Sequence, residues 1–329
     1  MRPLYKIGAF GAALAASFTA AYGIGDAVSP VPTDTGGGGH ESAAHSEPAG
    51  TAPAGTPAAD TSPGGLQISE DGYTLDLRTP RVRADEPSTL SFVIRDAQGR
   101  PVTDYRRAHE KELHLILAAR DLTTYRHLHP TRSADGTWTA TATLPEPGGY
   151  RVLADFTPAA EDAGLTLGAD LAVSGTYAPD PLPAPSATAT VDGYQVTLDG
   201  ALRAGGESDL TFTVRRDGKP VTALQPYLGA YGHLVALRSG DLAYLHVHPH
   251  EEAHGSATSG PEVAFSATAP SEGAYRLFLD FRAGGEVHTA AFTVRAGERP
   301  PAAGREGQRQ QRGEHEQERR GHEREHGHG

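Results

Sequence analysis

Hydrophobic and polar residues alternate with a period of two along two separate stretches of the chain. In the first stretch, Gly72-Tyr73-Thr74-Leu75-Asp76-Leu77 alternates, and Leu90-Ser91-Phe92-Val93-Ile94-Arg95 follows before a turn at Asp96-Ala97-Gln98-Gly99. Further on, Trp138, Ala140, Ala142 and Leu144 interleave with Thr137, Thr139, Thr141 and Thr143. A period of two puts the apolar set on one side of a pleated strand and the threonines on the other, wet side. Tyr150-Arg151-Val152-Leu153-Ala154-Asp155-Phe156 and Leu165 to Val173 are further strand candidates.

The same order of elements then returns. Gly193-Tyr194 repeats Gly72-Tyr73, and Leu210-Thr211-Phe212-Thr213-Val214-Arg215 repeats the Leu90 strand. Gly218-Lys219-Pro220-Val221-Thr222 repeats Gly99-Arg100-Pro101-Val102-Thr103, and Tyr275 to Phe281 repeats the strand ending at Phe156. Internal repetition with many short strands predicts an all-β protein of two tandem immunoglobulin-like β-sandwich domains. The expected domains cover residues 66–176 and 187–296, joined by a proline-stiffened linker at 177–186.

The ends read differently. Arg2 and Lys6 precede an almost wholly apolar run from Ile7 to Ile24. Residues 1–28 therefore read as an apolar helix that is a signal peptide or membrane anchor, with the body of the protein outside the cytoplasm. Thr19-Ala20-Ala21 offers a cleavage site, and the apolar run reaches the lower limit for spanning a bilayer, so secretion and anchoring by residues 7–24 both stand. Residues 29–65, rich in Pro, Gly, Ala, Ser and Thr, read as a disordered spacer. Residues 297–329 form a mixed-charge, disordered tail carrying His315, His322, His326 and His328. The tail reads as a solubilising terminus or a weak metal-capturing tract.

Composition narrows the chemistry. The chain has no cysteine, which excludes disulfides and thiolate metal sites, and Met1 is its only methionine, which excludes a thioether copper(I) site. A formal charge of -12 argues against a nucleic-acid partner. Membrane contact is expected only through the N-terminal segment.

The strongest chemical signal is a duplicated hairpin. His114 to Pro130 and His233 to Pro249 align without a gap, and each carries three histidines: His114, His127 and His129, then His233, His246 and His248. Two-residue loops at Arg120-Asp121 and Ser239-Gly240 would place His114 opposite His127 and His233 opposite His246. Directly opposed residues have Cβ atoms about 4.5–5.5 Å apart, close enough for two imidazoles to share an ion. His129 and His248 fall two residues further on, on the same side. Leu115, Leu117 and Leu128 look like core, yet Ile116 and Tyr125 share the histidine side, so the hairpin reads as covered on both sides.

The second unit adds possible ligands in His250 and His254, within His250-Glu251-Glu252-Ala253-His254, and His288 near its last strand. It is the expected stronger site. Asp155 and Asp280 occupy equivalent places and are candidate acceptors for an imidazole N–H. An all-histidine set suits copper(II), zinc or nickel, with copper(II) leading the affinity order for nitrogen donors and zinc the other choice. The other reading makes the same histidines packed, hydrogen-bonded scaffold.

At His246-Val247-His248-Pro249 with Gly273-Ala274-Tyr275-Arg276, and at His127-Leu128-His129-Pro130 with Gly149-Tyr150-Arg151, the sequence resembles exported bacterial β-sandwich proteins with a His-x-His-Pro strand, loosely similar to YtkA-like heavy-metal-associated periplasmic domains. The resemblance implies an extracytoplasmic accessory protein that binds a divalent metal, with a metal ion or a cell-envelope protein as partner. The alternative is a non-enzymatic cell-surface structural or protein-interaction module. Neither reading is an enzyme: nucleotide, serine-triad and thiol motifs are absent, and only Glu251 and Glu252 stand near as bases.

Overall fold

The computed structural model describes residues 63–297 except 246, 254 and 256. The expected N-terminal helix, the spacer before residue 63 and the tail beyond residue 297 lie outside the described residues, as do His246 and His254. Among the described residues no helix is long and apolar enough to cross a membrane.

All regular structure among the described residues is β, gathered in two sheet-rich regions. In the first, Tyr73–Leu77, Ser88–Arg95 and Thr137–Ala142 form the centre of one sheet. Arg81–Arg83, Leu165–Ser174, Gly148–Pro158, Leu113–Ala119 and Tyr125–Leu128 lie in that order in the other. The alternating residues do what their period demands. Leu75, Phe92 and Trp138 from one sheet meet Leu115, Val152 and Leu167 from the other in a single core, while Thr139 and Thr141 face solvent. The second region repeats the plan. Tyr194–Gly200, Glu207–Arg216 and Glu262–Thr268 face His233–Arg238, Gly273–Ala283 and Glu286–Ala296 across Phe212, Phe265, Leu277 and Phe292. Both regions are therefore sandwiches, and both lie in one compact unit of the chain.

The strand Leu113–Ala119 has no polar side to offer water, and all seven of its residues are buried. Leu113, Leu115 and Leu117 fill the core of their own sandwich. Ile116 and Ala118 point the other way, where a third apolar cluster joins the two sandwiches. From the first sandwich it takes Ile116, Ala118, Leu122, Tyr125 and Leu153; from the second it takes Val235, Leu237, Leu242, Tyr244 and Phe278. The Tyr125 and Phe278 rings stack at 4.1 Å and 6°, an aromatic pairing that adds about 0.5–1.5 kcal/mol beyond its buried area.

The hairpin loops differ from the expected two-residue form. Ala119 N donates to Thr124 O at 2.9 Å, and Arg238 N donates to Ala243 O at 2.9 Å, so each loop has four residues. Ile116 consequently pairs with His127 and Leu237 with Tyr244, two positions away from the expected register. An even slip leaves every side chain on its original side of the sheet, so the histidines keep their common face. The cause is local. Asp121 Oδ1 accepts from Thr123 N and Asp241 Oδ1 from Ala243 N, forming side-chain turns that need the longer loop. The longer loop also delivers a leucine to the junction. Leu122 and Leu242 sit in the left-handed region at φ 61° and 63°, yet each is 1% exposed.

Two effects oppose each other at these leucines. Left-handed backbone costs a non-glycine residue about 1–2 kcal/mol, whereas removing a buried leucine costs about 2–5 kcal/mol. Burial wins, so Leu242→Gly is expected to lower stability by about 1–3 kcal/mol despite relieving the backbone. Urea unfolding checks this; a more stable glycine variant would refute the assignment of Leu242 as a junction plug.

Candidate metal centre

Three of the expected histidines converge. His114 stands on Leu113–Ala119, His127 on Tyr125–Leu128, and His129 just beyond, before Pro130, which has no N–H to extend the pairing. One ring nitrogen of each lies within 4.8 Å of the others. A fourth ring arrives from the second sandwich: His233 lies 5.3 Å from His114 and 4.7 Å from His127, centroid to centroid.

Hydrogen bonds fix the direction of two rings. His114 Nε2 lies 3.1 Å from the Ala108 carbonyl oxygen, which can only accept, so Nε2 carries the hydrogen and Nδ1 a lone pair. His127 Nδ1 lies 2.9 Å from Asp280 Oδ2 and donates to it. These two side chains are only 3% and 2% exposed, and they belong to different sandwiches. The remaining nitrogens, His114 Nδ1 and His127 Nε2, face each other at 3.0 Å. Asp280 is held in turn by Thr289 Oγ1, which donates to Oδ1 at 2.6 Å. His129 Nε2 and His233 Nε2 are buried with no hydrogen-bond partner.

Electrostatics favour the neutral form of three of these rings. Burial, then the neighbouring His127, pushes His114 down to about 3. Burial with His127 and Lys111 pushes His129 down to about 4. His233 is also held well below the usual histidine range, by burial first and then by its neighbours His127 and His114. Neutral imidazoles are the form that binds metals. The set is thus chemically able to coordinate an ion, but it is interior and already engaged in hydrogen bonds.

The other expected residues lie elsewhere. The second hairpin changes sheets earlier than the first: Tyr244–Leu245 pairs with His233–Arg238, but Val247–Pro249 pairs with Glu262–Thr268. His248 is therefore exposed, on the edge of a cleft of about 190 Å³ shared with His109, Asp155 and His233. His250 is exposed and bonded to Ser266 Oγ at 2.8 Å. His288 is buried away from the cluster, with Nδ1 2.8 Å from Asp192 and Nε2 3.2 Å from the Ala283 carbonyl. Both its nitrogens face oxygen atoms of the protein, so neither is aimed at the cluster. Asp155, in register with His114 as Asp280 is with His233, takes Thr166 Oγ1 at 3.0 Å and lies 3.5 Å from Tyr244 Oη of the other sandwich.

Sequence reasoning missed His109. It occupies a tight turn in which Ala108 and Lys111 exchange backbone hydrogen bonds, with His109 and Glu110 at φ 50° and 65°. The turn sets the His109 ring 5.4 Å from His233. The corresponding turn in the second sandwich, Tyr227 to Ala230, is built from Leu228 and Gly229 and shares no residues with it. The only sequence signal was the position of His109 five residues before His114.

Two segments of the chain, residues 67–171 and 189–298, match the family described as domain of unknown function DUF8832. The chain belongs to that family, one copy of the domain in each sandwich; the match does not assign it to the YtkA-like domains. No curated protein sequence matches it. Among solved structures, it is similar to the Escherichia coli adhesin FdeC at 18% identity over 69% of this chain and 65% of that one, with a TM-score of 0.23. A bacterial integrin-binding invasin gives 13%, 69%, 40% and 0.21, and native E. coli alpha-2-macroglobulin gives 13%, 71%, 14% and 0.24. The chain thus spans less than two thirds of the length of each, and superpositions of this quality carry no argument about function.

The depressed histidines make a pH prediction. His114 and His129 bind protons more weakly folded than unfolded, so the unfolded chain takes up protons first as pH falls. Stability in chelator should decline from about pH 6.5 downward, through the window that ends near the folded values of about 3 and 4, and return as pH rises. Urea midpoints measured from neutral to about pH 4.5 test this, and His129→Ala should show a shallower decline than the parent. A midpoint that rises on acidification would contradict it.

Proposed function

We propose that this protein is a non-enzymatic, extracytoplasmic module in which two sandwiches are locked into one rigid body, and that its histidines serve that lock. The observation that carries the reading is the buried pair of His127 and Asp280, which crosses from one sandwich to the other at 2.9 Å. A protein that captures and releases ions needs ligands within reach of solvent. Here the converging set is interior, with His114 bonded to the Ala108 carbonyl and His127 to Asp280. A copper(II) or zinc ion in such surroundings is a fixed part of the fold rather than cargo. Placement outside the cytoplasm is supported by the apolar run from Ile7 to Ile24 behind Arg2 and Lys6. A rigid tandem of sandwiches at the end of a Gly- and Pro-rich spacer suits a partner in the cell envelope, reached by a protein surface.

Breaking one side of a buried charge-paired contact costs about 3–5 kcal/mol, whereas replacing both sides by apolar residues is often neutral. His127→Ala, measured by urea unfolding in chelator, is expected to lose stability on that scale of about 3–5 kcal/mol, and His127→Leu combined with Asp280→Leu to regain most of it. A His127→Ala protein as stable as the parent would end the structural reading.

A further inference from the structure

The gap between His114 Nδ1 and His127 Nε2 holds 3.0 Å of distance and two ring nitrogens. Their outer nitrogens are both committed as donors, to the Ala108 carbonyl and to Asp280. One of two things joins the inner pair: a proton, which makes His127 an imidazolium, or a metal ion. The rest of the cluster decides between them. A proton satisfies two nitrogens and leaves His129 Nε2 and His233 Nε2 buried and unpaired, each at a desolvation cost. A metal ion can take a lone pair from each of His114, His127 and His129, whose ring nitrogens converge.

The geometry fits an ion. Imidazole nitrogens bound at about 2.0–2.1 Å in a tetrahedron lie about 3.3 Å apart. The inner pair is already near that spacing, and the three first-sandwich rings are within 4.8 Å. Metal-bound histidines commonly donate their other N–H to a carboxylate or backbone carbonyl, and both types of partner are in place. The cleft lined by His109 and His248 reaches His233, the ring stacked on His114 and His127.

We infer that His114, His127 and His129 form a site for a divalent transition-metal ion of the zinc class at the junction of the two sandwiches, with the His233 ring stacked beside it. The inference rests on the structural reading above and adds an ion to the lock. Asp280 acts as a positioning residue, orienting His127 without touching the ion.

The test uses the full chain, stripped with chelator and titrated with Co²⁺, whose visible absorption reports tetrahedral coordination, followed by displacement with Zn²⁺. Histidines of the spacer and tail also bind ions, so the readout is the difference between parent and variants. The parent should show one equivalent of tetrahedral signal. His129→Ala and His129→Gln should each lose more affinity than the about 10–100-fold expected for Asp280→Asn, while His288→Ala and His250→Ala keep the parent signal. Circular dichroism confirms that the variants fold; His129 Nε2 makes no hydrogen bond to lose. A parent without the signal, or a signal unchanged in folded His129 variants, overturns the inference. Loss of stability in His127→Ala without metal binding would remove the ion and leave the lock standing; metal binding with an unchanged His127→Ala stability in chelator would do the reverse.

Discussion

A strand that offers nothing to water must be covered on both sides, and Leu113–Ala119 is such a strand. One side is covered by the core of its own sandwich. The other can be covered only by a second body, and the equivalent hairpin of the second sandwich has the same need. Joining the two exposed sides satisfies both at once. Everything else at the junction follows: Leu122 and Leu242 accept left-handed backbone to plug it, Tyr125 stacks on Phe278, and the polar residues at its rim are drawn inside.

The junction brings like to like. Ile116 and Val235, Tyr125 and Tyr244, Leu153 and Phe278 are equivalent positions of the two copies, and all six belong to the one shared cluster. The arrangement resembles a self-complementary dimer interface contained within one chain. The aspartates continue the pattern. Asp280 reaches His127 of the opposite sandwich, and Asp155 lies against Tyr244 of the opposite sandwich. Low dielectric makes these few polar contacts consequential, since a buried polar group left without its partner costs far more than a made bond contributes.

Symmetry stops at the third histidine. His129 ends beside His114 and His127, whereas His248 leaves for the opposite sheet, where it pairs with Ser266. The first sandwich contributes three rings to the cluster and the second contributes His233. The second unit has more histidines near its hairpin, but His288 turns both nitrogens to oxygen atoms of the protein and His250 is tied to Ser266. Ligand count along the chain was a poor guide, because a lone pair must also be free and aimed inward.

The sequence by itself determined the β class, the duplication, and the face on which the histidines lie, because these depend on a period of two and on chain order, both written in one dimension. Even the misjudged hairpin register kept that face, since the loops grew by an even number of residues at Asp121 and Asp241. Only the tertiary structure decided which histidines meet. The contacts of His127 with Asp280 and of His114 with His233 join residues from different sandwiches, and no local propensity encodes a meeting set by the burial of two distant apolar surfaces.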